Sequence, residues 1–175
     1  TLRQIYYYLI TISGSAIAGL TALTATLYWL IGFAVGLPAG DGSYFHFLVW
    51  TLPAMTVAAG VWLYHHKLAQ EEAAASEEKH LSARRVYLYL MSVISLGTLI
   101  AGMVALIGIL LDLIITSLSR ETIINASGWW QGQLSMSLAL LGVGVPIWIY
   151  FWRNVLKMLL AGGATERRVR SRRIF

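Results

Sequence analysis

The chain contains no cysteine, which excludes a disulfide framework and any thiolate metal site. Charge is also scarce. Charged residues make up 12% of the 175 positions, against about a quarter in an ordinary soluble domain. Eight residues are acidic, so few that Asp112 is the sole carboxylate inside a long apolar stretch. Assembled catalytic patterns are missing too: there is no Ser–His–Asp set, no clustered metal ligands, no Walker loop and no dinucleotide fingerprint. An enzyme is therefore not expected.

What fills the chain instead is apolar. Hydrophobic residues account for 58% and mean hydropathy is +0.68. Four stretches stand out, at 5–37, 44–68, 86–118 and 129–160. A spanning helix needs about 20 apolar residues, so each is long enough to cross a bilayer. The first and third are too long for an upright span and must tilt or extend past the hydrocarbon. The first is also too long for a signal peptide, and no small-residue cleavage site closes it. The expected fold is an all-α, four-helix integral membrane bundle.

The basic residues set an orientation. Every Lys and Arg except Arg120 falls on one side of a four-span arrangement. Loops rich in Lys and Arg stay on the cytoplasmic side, so both termini and the middle loop are expected there, in a bacterial inner membrane. The turns at 38–43 and 119–128 then face outward. The net charge of +5 reads as a topology signal and a contact for anionic lipid. No nucleic-acid-binding pattern accompanies it.

Two stretches read alike. Trp62-Leu63-Tyr64-His65-His66-Lys67 is answered by Trp148-Ile149-Tyr150-Phe151-Trp152-Arg153, and Arg3-Gln4-Ile5-Tyr6-Tyr7-Tyr8-Leu9 by Arg84-Arg85-Val86-Tyr87-Leu88-Tyr89-Leu90. The chain thus divides into a first hairpin (1–70), a polar linker (71–83), a second hairpin (84–162) and a basic tail (163–175). The tail ends Arg172-Arg173-Ile174-Phe175 and reads as the start of a third unit of a longer repeat protein. Repeats with an even number of spans keep the same orientation, so the halves form a parallel and not an inverted pair. The Arg-Arg-x-Tyr-Leu-Tyr-Leu opening and the Trp-x-x-His ending resemble an uncharacterised bacterial family of tandem two-helix membrane repeats, a domain of unknown function. In the first copy Tyr7 replaces a Leu of the pattern; in the second, Phe151 replaces the His. The resemblance implies architecture and no activity.

Lipid gives helices no hydrophobic reason to associate, so close packing of small residues must hold the bundle. Gly97, Ala101, Ala105 and Gly108 form one such stripe, and Gly14, Ala18 and Ala22 another. Aromatic anchors are expected at both interfaces, with Trp62, Tyr64, Trp148 and Tyr150 at the basic side and Trp129 and Trp130 at the other. The hydroxyls of the first stretch should bond to carbonyls one turn back. Pro53 and Pro146 each remove a backbone donor and should kink their helices, and Gly162-Gly163 should end the fourth helix.

Asp112, His65 and His66 are the candidate ligand or ion sites. An intramembrane carboxylate can bind a proton or cation, but no second one stands ready to relay it. Neutral imidazole can ligate haem iron or chlorophyll magnesium, but the position matching His65 is Phe151. The reading that follows is a non-catalytic accessory or assembly subunit, surrounded by lipid and packed against other membrane subunits or further repeats. Two alternatives stand beside it: a small-solute or ion transporter using Asp112, and a haem- or pigment-binding subunit using His65 or His66.

Overall fold

A computed structural model describes residues 11–38, 43–74, 77–119 and 129–172. Four long helices dominate: α1 (Ser13–Ala34), α2 (Leu48–Ala74), α3 (Glu77–Ser119) and α4 (Trp129–Arg172). A single 3-10 turn, Tyr44–Phe47, leads into α2. All four helices are long and apolar enough to cross a membrane, over Ser13–Ala34, Tyr44–Glu71, Arg85–Leu118 and Trp130–Leu160. The protein is a multi-pass, all-α membrane bundle. With a 1.5 Å rise per residue, the 43 residues of α3 and 44 of α4 each extend about 65 Å, twice a hydrocarbon core of about 30 Å.

Burial is inverted relative to a soluble bundle. Leu110, Leu111, Leu113, Ile114, Ile115 and Leu118 of α3 are all more than half exposed. Water would not tolerate so continuous an apolar face, whereas acyl chains match it. Several of the buried positions are small or hydroxylated: Ser13, Ser92, Ser95, Ser135, Ser137 and Ala139. Ser95 Oγ donates to the Met91 carbonyl at 2.8 Å, Ser135 Oγ to the Gln131 carbonyl at 2.6 Å and Ser137 Oγ to the Leu134 carbonyl at 3.0 Å, all within their own helices. Ser15, Thr21, Thr24 and Thr26 of α1 bond back to Thr11, Ile17, Leu20 and Ala22 in the expected way.

The helices pack in the order α2, α1, α4, α3, with α2 and α3 scarcely touching. All four nevertheless contribute to one core, built from Ile12 at the start of α1, Ala69 of α2, Tyr87, Leu88 and Met91 of α3, and Phe151 and Val155 of α4, with Ala16 and Leu20 of α1 packed against it. This core lies at the end of the bundle that carries the exposed Lys67, Arg85 and Arg153, called here the basic end.

The first hairpin is closed at its far end by a specific cap. Gly36 takes φ +75°, a conformation that costs glycine nothing. Its backbone N–H then reaches the Phe33 carbonyl at 3.3 Å, and that of Leu37 reaches the Gly32 carbonyl at 2.8 Å. Orphan carbonyls at the end of α1 are thereby satisfied in a Schellman motif. The Tyr44 hydroxyl adds a bond to the Trp29 carbonyl at 2.9 Å, over Gly32, where a Cβ would sit 2.7 Å from that oxygen.

Pro53 and Pro146 lie inside α2 and α4, where the sequence puts them. Two sequence expectations are corrected. α4 does not end at Gly162-Gly163 but continues to Arg172, so the polar residues beyond the glycines extend the helix. The α3 stripe does not make its contact as a unit. Gly97 has open space around it and Ala101 is exposed, whereas Ala105 and Gly108 are half-buried. The close approach of α3 and α4 occurs at Gly102, against Leu140 and Leu141, and at Gly144, against the Leu99 backbone. These glycines lie on the face rotated from the stripe. In α1, Gly14 and Ala18 are likewise exposed while Ala22 is buried; the close approach to α2 is at Gly19, where an added Cβ would lie 3.4 Å from Ala58 Cβ.

A Cβ at Gly144 would lie 2.9 Å from the Leu99 backbone nitrogen, and backbone cannot swing aside. Gly144→Ala should therefore destabilise the bundle by about 1–3 kcal/mol. Gly97→Ala, facing open space, should stay within about 0.5 kcal/mol of wild type. Unfolding titrations in detergent compare the two.

Candidate functional site

The repeated aromatic ends of α2 and α4 keep the same local geometry. Trp62 stacks on His66 with ring centres 4.9 Å apart and planes 6° from parallel, and Trp148 stacks on Trp152 at 6.1 Å and 12°. Tyr64 meets His65 edge-on at 5.1 Å and 85°, as Tyr150 meets Phe151 at 5.2 Å and 84°. Residues four apart share a helix face, so an aromatic at each such position gives a stack in either copy. Tyr64 and Tyr150 are exposed, and Trp62 and Trp148 half-buried. At the other end Trp130 is exposed, while the side chain of Trp129 lies outside the described residues.

His65 and Phe151 occupy matching positions in different surroundings. Phe151 is buried and meets Tyr87 edge-on at 5.8 Å and 82°. His65 is half-buried, and its Nδ1–H donates to the Val61 carbonyl at 2.9 Å. The Phe is thus the copy that the core requires; an imidazole there would bury a polar ring against apolar neighbours. His66 is one residue on, about 100° around the helix. Its Nε2 lies 2.9 Å from the Gln70 amide nitrogen, which donates to it, and its shielded Nδ1 has no partner among the described residues. His46 sits in the 3-10 turn at the far end of the same hairpin. The structure does not bring these imidazoles together, and no group of three metal-ligating side chains forms among the described residues.

Asp112 is half-buried on α3 toward the end opposite the basic one. It makes no hydrogen bond or ion pair among the described residues; Arg120 lies outside them. The polar side chains of α4 near that level are Gln131 and Gln133. The Gln133 amide donates to the Ala105 carbonyl at 3.5 Å, over Gly108, and Gln131 Oε1 is buried without a partner. The sequence reading missed this pair, although two amides at the start of an apolar helix were the available signal.

Two lateral cavities flank α1. One, of about 360 Å³, is walled by α1, α3 and α4 and includes Thr21, Thr24, Ser95 and Thr98. The other, of about 310 Å³, lies toward the α2–α3 cleft and includes Ala59, Trp62, Tyr87 and Met91. Asp112, His65 and His66 line neither. In the first, the Thr21, Thr24, Ser95 and Thr98 hydroxyls each donate to a carbonyl of their own helix, so the walls are mostly apolar in character.

The contrast between the copies is testable. Phe151→His should cost about 1–3 kcal/mol by burying an imidazole at Tyr87, whereas the converse His65→Phe, away from the core, should stay within about 1 kcal/mol of wild type. Thermal unfolding in detergent reads both.

No curated protein and no solved structure gives a significant match. A family profile does match, over residues 85–175: the domain of unknown function DUF5671. The match starts at Arg85, in the opening of the second copy, and takes in α3 from that residue on and the whole of α4. By that match, over more than half its length, the chain belongs to the DUF5671 family.

Proposed function

We propose that the protein is a non-catalytic membrane subunit whose α1 docks a transmembrane helix of another subunit or of a further repeat. One observation carries this reading. Aligning the two openings at Tyr6 and Tyr87 pairs Gly14, Ala18 and Thr21 of α1 with Ser95, Leu99 and Gly102 of α3. In α3 that face is covered: Ser95 and Gly102 are buried, and Leu99 meets Gly144 of α4. In α1 the matching face is open, with Gly14, Ala18 and Thr21 all exposed. The same unit therefore uses this face for a helix in one copy and leaves it unoccupied in the other.

The reason is a rotation. The partner positions Ala58 and Gly144 correspond, but Ala58 meets Gly19 while Gly144 meets Leu99, the counterpart of Ala18. A shift of one residue turns a helix by about 100°, which swings the small face of α1 away from α2. Small residues let backbones approach closely, and in lipid this drives helix association. The face also borders the 360 Å³ cavity, to which Thr21 belongs. The serine and threonine hydroxyls of that cavity donate to their own helices and Asp112 lies outside it, which favours packing over solute passage. The basic end is placed in the cytoplasm of a bacterial cell, following the distribution of Lys and Arg.

A photo-crosslinker at Ala18, in the full chain in native membranes, should capture a discrete protein adduct, and one at the lipid-facing Leu113 should not. Gly14→Leu together with Ala18→Leu should reduce that adduct about tenfold by filling the contact, with unchanged thermal stability. Equal labelling at positions 18 and 113, or a lone monomer after gentle extraction, would sink the reading.

A further inference from the structure

We infer that the cleft between α2 and α3 holds one anionic phospholipid, with an acyl chain in the groove and the headgroup at the basic end. The two helices scarcely touch, and the space between them is not filled by side chains. It is a laterally open groove of about 310 Å³, running from Leu23 and Met55 at mid-span to Trp62 and Tyr87. Its walls are almost wholly apolar. Its serine, Ser15, already donates to carbonyls of its own helix at 2.7 and 3.1 Å. Water gains nothing from such a lining, and a polar solute would lose its hydration there. A hydrocarbon chain loses nothing.

The end of the groove decides which lipid enters. The stripe of α2 that lines it, Met55, Ala59 and Trp62, continues at helical spacing to His66, and the stack with His66 holds the Trp62 indole beside the mouth. Indole rings favour the headgroup level. Lys67 follows on α2, and Arg85 precedes Tyr87 on α3; both are exposed, on the two helices that form the cleft. Arg153 and Lys157 of α4 are exposed at the same end, against Glu71 as the one acid among side chains described there. Basic pockets between helices on one side of a membrane attract anionic headgroups. A second copy of the chain would meet these same cations with its own and be repelled. This inference does not depend on the α1 face described above.

Native mass spectrometry of the full chain, released from nanodiscs of equal phosphatidylglycerol and phosphatidylcholine, tests it. One phosphatidylglycerol should be retained in preference to phosphatidylcholine by about tenfold, as two cations near a headgroup imply. Lys67→Gln with Arg85→Gln should abolish the preference, and Ala59→Phe, which fills the groove, should remove retention of both lipids. Excess glycerol phosphate should leave the lipid bound. Equal retention of the two lipids overturns the proposal, as do undiminished retention by Ala59→Phe, release by glycerol phosphate, or a lipid-free dimer. Circular dichroism checks the variants, and the exposed Lys67 and Arg85 pair keeps the test decisive where Ala59→Phe does not fold.

Discussion

Helix against helix, in a medium as apolar as their own side chains, leaves only close contact and internal hydrogen bonding to hold a fold together. In this protein that constraint is met at a few points where one helix offers no side chain. Gly144 lies against the Leu99 backbone, Gly102 against Leu140 and Leu141, and Gly19 against Ala58. Around these crossings many of the buried residues are serine or alanine, and Ser95 and Ser135 turn their hydroxyls back onto their own helices. Larger side chains gather at the basic end, where Tyr87, Met91, Phe151 and Val155 of α3 and α4 pack with Ile12 and Ala69 from the first hairpin. The bundle is thus pinned by small residues along its length and by a conventional apolar core at one end.

The duplicated unit gains its asymmetry from those pins. Partner positions on α2 and α4 are preserved, but the contacting residue moves by one along α1 relative to α3. Nothing else is needed to bury a face in one copy and expose it in the other. The exchange of His65 for Phe151 follows the same logic, because the second position points into the core and the first does not. Divergence between the copies is concentrated where their environments differ, while the stacked rings at Trp62 and Trp148 stay alike.

Much of the architecture was legible from the sequence because lipid imposes simple rules. Length and hydropathy alone place four helices, and hydroxyl spacing places the bonds of Ser15, Thr21, Thr24 and Thr26. Rotation about the helix axis was not legible. Gly97 and Gly102 are both glycines on an apolar helix, and only the partner distinguishes open space from a close contact. The end of α4 was missed because glycine is as common just past a helix as it is costly within one, and the charged residues beyond Gly163 continue the helix. Of the candidate site, Asp112, His65 and His66 were chosen as chemical types, and none of them lines either of the two cavities described. The grooves are formed by residues with no chemical signature, which sequence patterns cannot announce.

The uninterrupted course of α4 has a mechanical meaning. Its 44 residues join the buried Phe151 and Val155 to Arg172 without a loop between them. A helix of that kind acts as a lever: a displacement applied near Arg172 arrives at the core instead of being absorbed on the way. The softest place along it is Gly162-Gly163, where each glycine lowers helix stability by about 1 kcal/mol relative to alanine. That pair sets how much of a push or pull at the basic tail is felt within the bilayer.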